Sequence, residues 1–305
     1  MQPFSLSAFG TALTAASLLA IKAMRSRSLS RSGAVAGFAV GFALVSTGWR
    51  GMVLFCFYQL GSMATKYKHA VKAQRDATVA TASQRGAAQV LSVSIVATVL
   101  SLWHAVFYGA EQVIDLTVAP VPSRLTCAIL AHHATCLADT LASELGMVTS
   151  VSFFGTNHKN APILITQPWK RVPIGTNGGV TLMGTLWSVV GGALMGGATV
   201  VVDLFLSHLP LSRSVASRMV LFGSLCGFLG SLIDSILGAT IQVTYWDEES
   251  KLVGHSDRRS PQQRQQPHVR RICGADILTN EQVNLASVVI MTFLGGWIIA
   301  PLVFS

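Results

Sequence analysis

Charge is what this sequence has least of. Only 11% of its 305 residues are Asp, Glu, Lys or Arg, against 51% hydrophobic, and so few charges cannot cover a soluble globule of this size. That excludes a water-soluble enzyme, and it makes a nucleic-acid partner a poor explanation of the net charge of +9. Acid is scarcest at the start, with no Asp or Glu before Asp76, which leaves an organelle-targeting reading open. The five cysteines, Cys56, Cys127, Cys136, Cys226 and Cys273, show no metal-ligand spacing and fall mostly in apolar stretches, which excludes a disulfide framework or a zinc knuckle. His132 and His133 beside Cys136 make no complete zinc ligand set. Short strands of alternating polarity are missing, which argues against a β-barrel. Neither an internal repeat nor a catalytic triad is visible.

What the chain does have is long apolar runs, at residues 5–21, 33–49, 51–65, 86–110, 125–138, 172–202, 219–233 and 282–305. Allowing for tilt, these are the lengths that helices need to cross or nearly cross the hydrocarbon. The expected fold is all-α: a polytopic membrane bundle of about six to eight transmembrane segments, forming one domain over residues 1–305. The first run precedes its basic residues, so it reads as an anchor rather than a cleaved signal peptide. Lys and Arg then follow the odd-numbered segments. Only Arg50, Arg124, Arg213 and Arg218 fall on the other side, and the positive-inside tendency makes the basic face cytosolic. Asp203, near the opposite end of the sixth run, reads as an interfacial residue. The stretch 243–281 is rich in Gln and Arg and reads as a flexible basic loop. The expected location is the endoplasmic reticulum or another endomembrane, with an organelle envelope as the alternative.

On this topology five polar motifs meet at the basic face. They are "GSMATKYK" (61–68), "ADTLASELG" (138–146), "VPIGTNGGVT" (172–181), "GSLIDSILGATIQ" (230–242) and "LTNEQVNLAS" (278–287). His132, Cys136, Asp139 and Ser143 recur at helical spacing and make one stripe. Glu144, five residues beyond Asp139, lies about 140° around an ideal helix, so it faces a different neighbour unless the helix is distorted. Asp234 shares a stripe with Gly238 and Gln242, next to the small residues Gly227, Gly230, Ser231 and Ser235, which permit close helix contact. Acids at such positions usually point into the bundle.

A Gly-rich turn opening a helix offers backbone N–H groups to an anion, phosphate being the obvious guest. Gly175, Thr176, Asn177, Gly178 and Gly179 form such a candidate, with helix packing as the equal alternative. Asp139 and Asp234 have the hard oxygens that Mg²⁺ takes, with a structural hydrogen bond or ion pair as the competing role. Lys66 could neutralise phosphate, or simply mark the cytosolic side.

The motifs above, together with "SRSGAVAGFAVGF" near the start, occur in an order that resembles the transmembrane protein 19 family of integral membrane proteins, over about residues 29 to 300. Plant members that this chain resembles are phytyl-phosphate kinases, which transfer a phosphoryl group from CTP to a prenyl monophosphate. The resemblance implies an integral membrane kinase in the lipid bilayer acting on a prenyl phosphate lipid, with CTP or another nucleoside triphosphate as co-substrate. Asp139 and Asp234 would hold Mg²⁺, residues 175–179 would bind nucleotide phosphates, Lys66 would neutralise charge, and Glu144 and Asn284 would support the site. This chain departs from the family's Gly-Asp-Thr-Trp-Ala-Ser-Glu pattern in having Ala138 and Leu141. A transporter using the same acids as an ion path, or a non-catalytic scaffold, are the alternatives.

Overall fold

A computed structural model describes residues 1–73, 84–154, 161–255 and 266–305. Among these described residues, five helices are long and apolar enough to cross a membrane: α1 (Leu6–Arg25), α7 (Pro120–Phe154), α8 (Leu182–Phe205), α9 (Arg213–Ile241) and the C-terminal helix, which starts as α10 (Asn280–Leu294), passes through a π-helical turn at Gly295–Ile299 and ends as α11 (Ala300–Phe304). Shorter passes come from α2 (Arg31–Thr47), from α3 (Val53–Lys66), and from α5 (Ala87–Ser92) with α6 (Ile95–Tyr108). Together the described residues run back and forth eight times. The short helix α4 (His69–Ala73) lies beyond α3 at the basic end.

Local sequence explains where the helices begin. Ser5, Ser30, Thr181, Ser212 and Thr279 are N-caps whose side-chain oxygens accept the N–H groups of Ala8, Gly33, Gly184, Val215 and Gln282, satisfying donors that a helix start leaves open. Large side chains then face outward: Leu6, Val35, Phe205 and Leu302 are exposed as a bilayer would require. Small residues face inward.

The central helix is α7, where 78% of the apolar window is buried against 22–44% in the other four long helices. Glycines let its neighbours approach it. A Cβ on Gly191 would lie 2.7 Å from Ala138 Cα, and one on Gly227 would lie 2.9 Å from Ala138 Cβ. The small-residue stripe of α9 therefore does pack closely, as expected. The fifth apolar run extends well past residue 138, because the helix continues through both of its carboxylates.

Two features depart from an all-helical reading. Strands β1 (Ile163–Leu164), β2 (Gln167–Arg171) and β3 (Gly179–Val180) form a small antiparallel sheet in the order β2-β1-β3, and β4 (Thr244–Asp247), β5 (Leu252–His255) and β6 (Val269–Cys273) form a second in the order β5-β4-β6. Both cap the basic end of the bundle. The stretch 243–281, read above as a flexible loop, thus contributes three strands, with backbone pairing that polar residues such as Arg270 and Arg271 satisfy as well as apolar ones. Residues 256–265, with Arg258, Arg259 and Arg264, lie outside the described residues, as do Arg75 and Lys159.

Candidate functional site

The four basic residues assigned to the far side lie there. Arg50, in the turn before α3, donates from Nε to Asp203 Oδ1 at 2.7 Å and from Nη2 to Asp203 Oδ2 at 2.8 Å. Asp203 is fully buried, so it is an ion-paired residue inside the bundle end and not interfacial. Arg124 and Arg218 bond the carbonyls of Trp297 and Ser305 near the end of the chain, and Arg213 starts α9.

At the basic end one cavity of about 510 Å³ collects almost the whole predicted constellation. Asp139 and Glu144 reach it from α7, Asp234 from α9, Asn284 from α10, and residues 175–179 from the segment before α8. The stripe on α7 is as spaced: His132 Nε2 donates to Val93 O at 2.9 Å and Cys136 Sγ to the same carbonyl at 3.6 Å, with Asp139 and Ser143 further along facing the cavity. Val93 lies in the break between α5 and α6, where its carbonyl has no helical partner.

Asp139 and Asp234 are each held by a serine hydroxyl. Ser231 Oγ approaches Asp139 Oδ1 at 3.4 Å, and Ser287 Oγ donates to Asp234 Oδ1 at 2.9 Å. Ser231 and Asp234 lie on the same helix, three residues apart and hence on the same face, so the bond to Ser231 draws both carboxylates to one side of the cavity. Among the described residues no three His, Cys, Asp or Glu side chains form a metal cage. Two carboxylates with hydroxyl and amide neighbours nonetheless suit Mg²⁺, which keeps several waters and is commonly held by one or two carboxylates plus the substrate's phosphates.

Glu144 turns to a different neighbour, as its angle around the helix required. It pairs with Lys72 of α4, whose side chain is only 1% exposed. Lys72 Nζ also donates to Ala64 O at 3.0 Å and Thr65 O at 2.6 Å, closing the last carbonyls of α3. Lys66 itself is exposed at the end of α3 and does not line the cavity. The role assigned to it therefore has no structural footing. Among the described residues, the Lys or Arg side chain that does line the cavity is Arg85.

The Gly-rich segment also differs from expectation. It does not open a helix: β3 and the N-cap Thr181 separate it from α8, and Thr181 Oγ1 accepts the N–H of Gly184 at 3.0 Å. The N–H groups of Thr176, Asn177 and Gly179 donate to Pro173 O, Thr244 Oγ1 and Thr176 O, so they are not aimed at a guest. Gly178 is required by its backbone, with φ of +72°, and by packing: a Cβ there would strike Ala239 and lie 2.6 Å from Ser235 O. Three of the segment's five N–H groups are thus taken up within the protein, and the segment forms part of the cavity wall.

Residues 14–292 match the family described as "Integral membrane protein DUF92". The chain is 33% identical over 287 residues to Protein PGR of Arabidopsis thaliana, covering 93% of each. It is 28% identical over 197 residues to an uncharacterised membrane protein of Synechocystis sp., covering 64% of each. No solved structure matches it.

Proposed function

We propose that this chain, which belongs to the DUF92 family of integral membrane proteins, transfers a phosphoryl group from a nucleoside triphosphate, CTP in the resemblance noted above, to a prenyl monophosphate. The observation that carries the reading is the cavity's two-sided character. Asp139, Asp234, Asn284 and the 175–179 segment form a polar wall, while Leu29, Val40, Leu54 and Phe57 form an apolar one. A lipid bearing a charged head fits such a space, its tail against the apolar wall and its head toward the carboxylates.

In the reaction the bond between the terminal phosphorus and its bridging oxygen breaks. A new bond forms from an oxygen of the lipid phosphate, and nucleoside diphosphate leaves. Positioning and charge stabilisation dominate such transfers, so no activated nucleophile is required. Asp139 and Asp234 are the residues suited to hold Mg²⁺, which when bound would neutralise phosphate oxygens. Ser231 and Ser287 orient those carboxylates. Glu144, fixed by Lys72, and Asn284 shape the rim beside them. Segment 175–179 bounds the nucleotide side by shape, with the side chains of Thr176 and Asn177 more than with its own N–H groups.

The basic, sheet-capped end is assigned to the cytosol, where nucleotide is supplied, and the membrane to the endoplasmic reticulum or a related endomembrane. Purified protein given CTP, Mg²⁺ and a prenyl monophosphate is expected to form the prenyl diphosphate. Absence of product with every nucleoside triphosphate would refute the reading.

A further inference from the structure

We propose that Arg85 receives the anionic headgroup of the lipid substrate and thereby selects a lipid phosphate over the free alcohol, an inference that rests on the phosphoryl-transfer reading above. Among the described residues lining the cavity, Arg85 is the only Lys or Arg, set against Asp139, Glu144, Asp234 and Glu281. Glu144 is already paired with Lys72, which leaves Asp139, Asp234 and Glu281 to repel a phosphate. One fixed guanidinium changes that, because it offers up to five N–H donors in a planar fork matched to phosphate oxygens.

The surrounding chain is built to hold Arg85. Its N–H donates to Ser28 O at 3.3 Å and its carbonyl accepts from Ser30 N at 3.0 Å, so that it bridges Leu29 in the turn between α1 and α2. Gly33 is where α2 passes this carbonyl, and a Cβ at that position would collide with it. This gives a role to "SRSGAVAGFAVGF", which the polar cavity wall does not explain. Thr65 Oγ1 takes one guanidinium N–H, from Nη2, at 2.6 Å, while the next residue, Lys66, points to the outside. Thr65 thus anchors one edge of the guanidinium of Arg85, a cavity-lining residue, while Lys66 is left to the aqueous face.

Arg85 also stands on the correct side. The elements it is tied to are α1, α2 and α3, and these supply the apolar wall, including Ala23, Leu29, Val40 and Leu54. Asp139 stands on α7, Asp234 on α9 and residues 175–179 before α8, whereas Glu144 and Glu281 are tied toward Arg85, through Lys72 and Thr65 and through Gln89. A lipid whose tail follows α1 to α3 would bring its head to Arg85 first, with Asp139, Asp234 and the nucleotide beyond.

The test compares binding of farnesyl monophosphate and farnesol to the full chain in detergent, read as ligand-induced thermal stabilisation, with CTP binding measured alongside. Wild-type protein is expected to prefer the monophosphate. R85Q should lose that preference, with affinity for the monophosphate falling on the order of tenfold or more, as loss of a charge-assisted bond implies. Its farnesol and CTP binding should be unchanged, which also shows that it is folded. R85K keeps the charge without the fork and should fall between the two. Undiminished preference in R85Q overturns the assignment of Arg85 while leaving the phosphoryl-transfer reading standing. Wild-type protein that binds neither farnesyl monophosphate nor CTP overturns both.

Discussion

Arg50 and Asp203, 153 residues apart in sequence, are joined by a two-pronged ion pair of 2.7 and 2.8 Å at the end of the bundle away from the cavity. Arg50 Nη1 donates to Thr126 Oγ1 and Nη2 to Gln112 O, so one guanidinium links the turn before α3, the start of α7, the end of α8 and the segment between α6 and α7. Breaking a buried pair by removing one partner leaves the other charge uncompensated, at a cost of about 3–5 kcal/mol. R50M and D203L are each expected to lower the thermal midpoint in detergent sharply. The double variant R50M/D203L should recover much of the loss, since it removes both charges. A double variant no better than the singles would show that the pair does not act as a unit.

Gly178 gives a prediction about stability rather than ligand binding. Its positive φ and its contact with Ala239 and Ser235 mean that G178A should destabilise the protein by about 1–3 kcal/mol, from backbone strain and overpacking together. Thermal unfolding without nucleotide measures this. An unchanged midpoint combined with lost CTP binding would restore the phosphate-nest reading of this segment.

These two sites mark what a sequence reveals in such a chain. Apolar runs and the placement of basic residues follow from local composition, and they were enough to lay out the bundle and its two ends. Asp139, Asp234, Asn284 and residues 175–179 could be brought together because each motif lies toward the basic end of its segment. The partner of an acid is a different matter. Glu144 meets Lys72 because the chain reverses after α3 and buries that lysine against the last carbonyls of the helix. Asp203 looked alone because Arg50 is distant in sequence. The strands of 244–273 have no alternating apolar pattern, since they cap the bundle end and are held mainly by backbone pairing.

Topology offers a third test. Cysteines placed at Arg27, Arg171 and Lys251, all exposed at the basic end, should label from one side of sealed vesicles, and one placed at Arg213 from the other. Labelling of Arg171 and Lys251 positions from opposite sides would contradict the eight-pass arrangement and the convergence of the cavity walls.

The buried pair of Lys72 and Glu144 supports a fourth. K72M removes the cation from Glu144 and from the α3 carbonyls, so it should reduce stability and, in the proposed reaction, lower turnover more than substrate affinity, because the rim would shift while both binding walls persist. Steady-state kinetics on the variant separates these. A selective rise in KM with unchanged kcat would place Glu144 in binding alone.

The most direct measurement of the central claim is Mg²⁺-dependent phosphoryl transfer from CTP to a prenyl monophosphate by purified wild type, D139N and D234N, with thermal stability recorded for each. Replacing Asp by Asn keeps the shape of the cavity and removes the charge that a cation needs, while Ser231 and Ser287 can still bond the remaining side-chain oxygen. The account predicts a wild type that forms prenyl diphosphate and two folded variants, as stable as wild type or more so, that do not. Variants that turn over at the wild-type rate at ordinary Mg²⁺ concentrations would contradict it, and would make Asp139 and Asp234 structural residues of the bundle.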